Sequence, residues 1–134
     1  MSVEEHKALI RSAYAAINRH DLDAASRYMG PAVADQWRAE RDYLEAFFTA
    51  FPDCRWEVED LIAEGERLAG RDTCRGTHRG AFLGVAPTGK AVTMRGLHLW
   101  RVAEGKVVEH WTVADQLGLL RQLGAFPVSP AGGR

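Results

Sequence analysis

No apolar run in the chain approaches the ~20 residues of a membrane span, so a membrane partner is not expected. Only two cysteines occur, Cys54 and Cys74. They are too few for a disulfide framework and lack metal-ligand spacing. Charge of one sign is missing too: the net charge is -1, with Lys and Arg scattered rather than striped. That removes the basis for a nucleic-acid surface. The opening MSVEEHKALI is acidic and amphipathic, unlike the basic start of a secretory signal. The glycines of RGTHRGAFLG and PTGK lack the strand–loop–helix context and GxGxxG spacing of a phosphate loop. No G-x-S-x-G elbow is present, and neither cysteine sits in a nucleophile motif. A cytoplasmic protein with free thiols is expected.

What is present is a change of period. Ser2-Val3-Glu4-Glu5 fits a capping box, and Ile10, Ala13, Tyr14 and Ile17 form a buried stripe to about Asn18. Asp21 can cap a short second helix burying Leu22, Ala25, Tyr28 and Met29, which Gly30-Pro31 stops. Trp37, Leu44, Phe47, Phe48 and Phe51 trace a third stripe, ended by Pro52. Strand period then dominates to about residue 115. Two hairpins are expected, turning at Glu64-Gly65 and Glu104-Gly105, with LGVAPTGKA as the loop between them. Helices segregated from an antiparallel meander predict an α+β fold, with the helices on one face of a curved sheet. One domain is expected over residues 1–134, ordered over about 3–126, with SPAGGR frayed.

Alternation assigns faces. On the third strand, Val92, Met94, Gly96, His98, Trp100 and Val102 form the more apolar, inward face. A two-residue turn at Glu104-Gly105 sets His98 opposite Trp111, Gly96 opposite Val113 and Met94 opposite Asp115. The last strand then points Val107, Glu109, Trp111, Val113 and Asp115 inward, and His110, Thr112 and Ala114 outward. In the second strand Cys74, Gly76, His78, Gly80 and Phe82 form the expected interior side. Polar groups on a core face are paired or line a cavity. Asp115 is equally readable as an N-cap for the segment 116–123 or as an acid at a cavity edge. His98 is the pocket histidine to expect, with His78 behind it. His110 reads as surface. No spacing among His78, His98 and Asp115 supports a metal site. The four tryptophans suit a core or an aromatic ligand alike.

The stretch 50–124 resembles the SnoaL-like polyketide cyclase (ester cyclase) family, in the elements FPD (51–53), RGTH.G.FLG..PTGK (75–90), G.H..R...GKVVEHW (96–111) and D.LGLL.QLG (115–124), taken in that order. The resemblance implies the cone-shaped α+β fold of nuclear transport factor and ketosteroid isomerase, enclosing a deep pocket. It also implies cofactor-free intramolecular aldol closure of an aromatic polyketide ester, with an aspartate as general acid/base. That aspartate matches Asp115, and His98 is the pocket partner. Trp111, Trp100, His78, Met94, Tyr14 and Phe51 are the expected substrate contacts. Where the family often has an acid after HW, this chain carries Thr112, expected to face outward. A rival reading is a non-catalytic binder of a small apolar ligand; isomerisation or epoxide hydrolysis on the same fold ranks third. A homodimer is expected through the outer sheet face, with Leu97 and Leu99 as contacts.

Overall fold

The computed structural model describes residues 1–125. The SPAGGR tail lies outside the described residues. The elements run α1 (Val3–Asn18), α2 (Leu22–Ser26), a 3-10 turn (Pro31–Val33), α3 (Ala34–Ala50), β1 (Arg55–Glu64), β2 (Arg67–Thr77), β3 (Ala91–Ala103), β4 (Lys106–Ala114) and α4 (Gln116–Gln122). Helices with a curved antiparallel sheet are the expected α+β class. The strands form a meander in the order β1-β2-β3-β4.

Local chemistry explains where the helices begin and end. Ser2 Oγ accepts from the Glu5 N–H while the Glu5 carboxylate accepts from the Ser2 N–H, which satisfies two free donors of α1. Asp21 caps α2 by accepting from Ala24 N. The stripe of α3 buries Trp37, Leu44, Phe47 and Ala50, and the helix stops one residue before Phe51-Pro52.

The first hairpin turns at Gly65-Glu66, one residue later than expected, because Glu64 still pairs with Arg67. Gly65 takes the left-handed φ of 59° that this turn needs. The second hairpin turns at Glu104-Gly105 as expected, with φ of 53° and 74°, the signature of a type I′ turn.

Beyond that turn the expected register fails. Val102 pairs with Val107, but Arg101 pairs with Glu109, so β4 carries one extra residue at Val108. A one-residue insertion exchanges the two faces of the strand. His98 therefore faces Thr112, Trp100 faces His110, and Gly96 faces Ala114. The extra residue follows Val107, whose N–H and C=O are taken by Tyr28 O and Gly30 N on the side away from β3. A Cβ on Gly30 would stand 3.0 Å from Val107 O, so the close approach favours glycine.

The flip puts Trp111 and Val113 on the outer sheet face, 64% and 68% exposed, beside Leu97 and Leu99. Glu109, expected inside, is also outside, where it pairs with Arg67 and Arg101. Behind the sheet, Leu9, Ile10, Leu68, Trp100, Val102 and Val107 form one buried cluster, and Ala16, Leu22, Ala25, Trp37 and Leu44 another. A third gathers Phe47, Phe51, Phe82, Met94 and Leu119.

Gly70 on β2 leaves the room that the Trp100 indole occupies: a Cβ there would lie 2.7 Å from the ring. Overpacking of this kind costs about 1–3 kcal/mol. Gly70→Ala is expected to lower the denaturation midpoint accordingly; an unchanged midpoint would show that Trp100 moves aside freely.

Candidate active site

Two adjoining cavities lie between the helices and the sheet. The inner one, about 70 Å³, is walled by Ile10, Tyr14, Trp37, Trp100 and Val107 among others, and His110 also lines it. The outer one, about 470 Å³, takes in Gln36, Tyr43, Met94, Gly96, Thr112 and Gln116. Both are lined by Glu40, Leu44, Trp56, Asp72 and His98. The polar groups at this junction are therefore the ones that can meet a ligand in either space.

Asp72 is at the centre. It points inward from β2 on the parity of Leu68, Gly70 and Cys74 and is 3% exposed. Its Oδ2 accepts from the Tyr14 hydroxyl at 2.5 Å and from His98 Nε2 at 2.9 Å. A carboxylate only accepts, so His98 carries its proton on Nε2 in that pair. Oδ1 has no hydrogen-bond partner among the described residues. A Cβ on Gly96 would come within 2.7 Å of Oδ1. Glycine at 96 thus clears the space into which this oxygen projects.

The network continues outward. His98 Nδ1 lies 2.9 Å from His110 Nε2, and His110 Nδ1 lies 3.5 Å from Glu40 Oε2. Trp100 stacks on both imidazoles, with centroids 5.0 Å from His98 and 5.6 Å from His110. Tyr14 meets His98 and Trp100 edge-on. Aromatic walls hold the imidazoles in plane and keep water from their faces. Burial, and then the neighbouring Asp72 charge, push the Tyr14 phenol well above its ordinary range, so it stays a donor. Hydrogen bonding with Cys54 and burial likewise push the Cys74 thiol far up. A protonated, buried thiol is not a nucleophile.

Several expected site residues are elsewhere. Asp115 lies exposed just beyond β4 and lines neither cavity; its Oδ1 accepts from Gly118 N at 2.9 Å, capping α4. Of its two readings the structure shows the cap. Trp111 is outside because of the Val108 insertion, and its indole N–H donates to Glu109. Phe51 is fully buried in the aromatic cluster and lines neither cavity. His78 is fully buried beside it, stacked on Phe51, with Nδ1 accepting from Thr88 N. It fills core rather than pocket. His98, Trp100, Met94 and Tyr14 do line the cavities.

Four groups in the site were not expected there: Asp72, Glu40, His110 and Thr112. Asp72 had a signal, since it lies two residues before Cys74 on the same alternating side. His110 and Thr112 needed the insertion in β4 to be known. Glu40 had a signal too, since it lies three residues after Trp37 and four before Leu44 and so falls on their stripe of α3. Among the described residues no three His, Cys, Asp or Glu side chains are grouped to hold a metal. Asp72, His98 and His110 bond to one another instead.

The raised Tyr14 phenol has a consequence for alkaline stability. A folded-state value above the unfolded one adds stability that is complete below about pH 10 and declines above it, as the unfolded phenol ionises. Tyr14→Phe is expected to be less stable than wild type at neutral pH by about 1–3 kcal/mol, the cost of an unmet partner. Denaturation as a function of pH should show that gap narrowing above about pH 10; a gap independent of pH would contradict the Tyr14–Asp72 bond.

A family model for SnoaL-like polyketide cyclase matches residues 8–123. The aklanonic acid methyl ester cyclase DnrD of Streptomyces peucetius is 37% identical over 59 residues, covering 44% of this chain. The chain thus spans only 41% of the length of that relative. The aklanonic acid methyl ester cyclase AcmA of Streptomyces galilaeus is 26% identical over 133 residues, 91% of this chain and 92% of that one. Among solved structures, AclR of Streptomyces galilaeus, a proposed hydroxylase, superposes with a TM-score of 0.86 at 37% identity, over 96% of this chain and 91% of that one. With a match over most of its length, the chain belongs to the SnoaL-like polyketide cyclase family.

Proposed function

We propose that the protein is an acid/base enzyme acting on an aromatic polyketide ester, with Asp72 as the base and His98 as its partner. The observation that carries this reading is the divided carboxylate: Oδ2 is fixed by Tyr14 and His98, while Oδ1 is left without a partner beside Gly96 in the outer cavity. A base needs a lone pair directed at the substrate and a support that holds it there.

The reaction supported is intramolecular aldol closure. A methylene flanked by carbonyls is acidic enough for a carboxylate to deprotonate. Asp72 Oδ1 takes that proton, and the carbanion forms a carbon–carbon bond to a carbonyl carbon of the same chain. The C=O electron pair moves to oxygen, and the proton held on Asp72 returns to the alkoxide. The product is an isomer of the substrate, so no atom is gained or lost. The Thr112 hydroxyl lines the same cavity and supplies a donor for the developing oxyanion. Apolar walls from Leu44, Trp56 and Met94 hold the reacting carbons together, an effect on the order of several kcal/mol.

A second reading, hydroxylation of the same substrate class, is favoured by the likeness to AclR across nearly the whole chain. The products separate the two: cyclisation yields an isomer, and hydroxylation consumes an external two-electron oxidant and adds one oxygen atom. A third, binding without turnover, would return the ligand unchanged.

Incubation with an aromatic polyketide methyl ester, read by mass spectrometry and chromatography, is expected to give an isomeric ring-closed product. Asp72→Asn is expected to lower kcat by about 10²- to 10⁴-fold, the usual worth of a positioned base. Asp115→Ala should lose helix-cap stability and keep its rate. Full activity in the Asp72 variant, with loss in the Asp115 variant, would overturn the assignment.

A further inference from the structure

A second concave surface lies outside the two cavities, between α1 and the start of β1. It encloses about 420 Å³ and is lined by three arginines, Arg11 and Arg19 from the helix side and Arg55 from the strand. Arg11, Ala15 and Arg19 follow one another at four-residue steps, so they share one side of the helix. Arg19 is the C-cap of α1 and keeps right-handed helical angles, which places it about 12 Å along the axis from Arg11. Ala15 stands between them with only a methyl group, so the floor is open where two long side chains can close over it. Arg55, the first residue of β1, faces them from the other wall.

The positive charge in this groove is unanswered. Arg11 has no acid three or four residues away on α1, where Lys7, Ala8, Tyr14 and Ala15 stand. Among the described residues none of the three arginines makes an ion pair. Glu57 is the one acid lining the groove among them, and Arg75 of β2 already holds its carboxylate at 3.0 Å. The walls are also fixed to each other. The Asn18 amide donates to Trp56 O at 2.9 Å and accepts from Trp56 N at 2.8 Å, which closes the edge of β1 at that residue and ties strand to helix. The rest of the lining includes the apolar bodies of Tyr14, Trp56 and Val58.

We propose that this groove binds a phosphate monoester, with its phosphate held by Arg11, Arg19 and Arg55 and its organic group against Tyr14, Trp56 and Val58. A single arginine fork satisfies a carboxylate, whereas the oxygens of a phosphate accept from several directions at once. Three guanidinium groups arriving from two elements match the second pattern. The aromatic and aliphatic walls beside them suit an apolar or aromatic ester. Asp72 lines the two cavities and not this groove, so the site stands independently of the role of that residue.

The test is a titration of the full chain, labelled with 15N-arginine, with phenyl phosphate, followed through the guanidinium Nε–H signals. Those of Arg11, Arg19 and Arg55 are expected to move together and to saturate, while that of Arg95, exposed on the outer sheet face, stays still. Inorganic phosphate should move the same three signals with weaker affinity, because it brings no ring. Benzoate should bind at least about tenfold more weakly than phenyl phosphate. Arg55→Lys keeps the charge and removes the fork, and is expected to weaken phenyl phosphate about tenfold. The double variant Arg11→Gln, Arg19→Gln should lose saturable binding, with an unchanged Arg95 signal showing that the fold is kept. Benzoate or inorganic phosphate binding as tightly as phenyl phosphate, an equal shift at Arg95, or unchanged affinity in Arg55→Lys would overturn the proposal.

Discussion

A carboxylate withdrawn from water must be hydrogen-bonded or lose its charge, and the pairing of Asp72 with Tyr14 and His98 answers that demand. Much of the site is arranged around it. Tyr14 arrives from α1, His98 from β3, and the gap over Gly96 leaves one oxygen unengaged. Removing either donor would strand a buried acceptor at a cost of about 1–3 kcal/mol, more where the acceptor is charged. In the proposed reaction, the same bonds that stabilise the interior also aim the base. Fold and chemistry share one set of contacts.

The second constraint is a single inserted residue. Val108 turns His110 and Thr112 inward and Trp111 and Val113 outward, because side chains alternate with a period of two. Without it His98 would face an indole, and Glu40 would have no imidazole to meet. The insertion lies where the segment before the 3-10 turn hydrogen-bonds to Val107. The segment after α2 thus meets β4 beside the inserted residue that sets which groups line the cavity.

This explains what could be read from the sequence. Capping at Ser2 and Asp21, the stripes of α1 and α3 and the Glu104-Gly105 turn are local, and each appears in the structure where the residues place it. His98, Trp100, Met94 and Tyr14 were legible as cavity residues because α1 and β3 are regular throughout. The faces of β4 were not legible, since alternation counted from the turn cannot sense a distant segment that adds a residue. Asp115 misled for a related reason: a favoured cap residue and a cavity acid look alike in sequence, and here the cap is what the geometry shows. His78 and Phe51 misled because an interior face can be packed solid, and theirs is. Asp72 has the parity of the inward face, but in sequence it looks like the other charges of β2, Arg67, Arg71 and Arg75, which face solvent.

In the proposed reaction, substrate meets Asp72 Oδ1 in the space between Gly96 and Thr112. A crystal structure with a bound aromatic polyketide ester tests it most directly. The expected result is the acidic carbon of the ligand within contact distance of Oδ1, with its ring system against Trp56 and Met94. A ligand seated on the outer sheet face, or one whose reacting carbon approaches Asp115 instead, would contradict it.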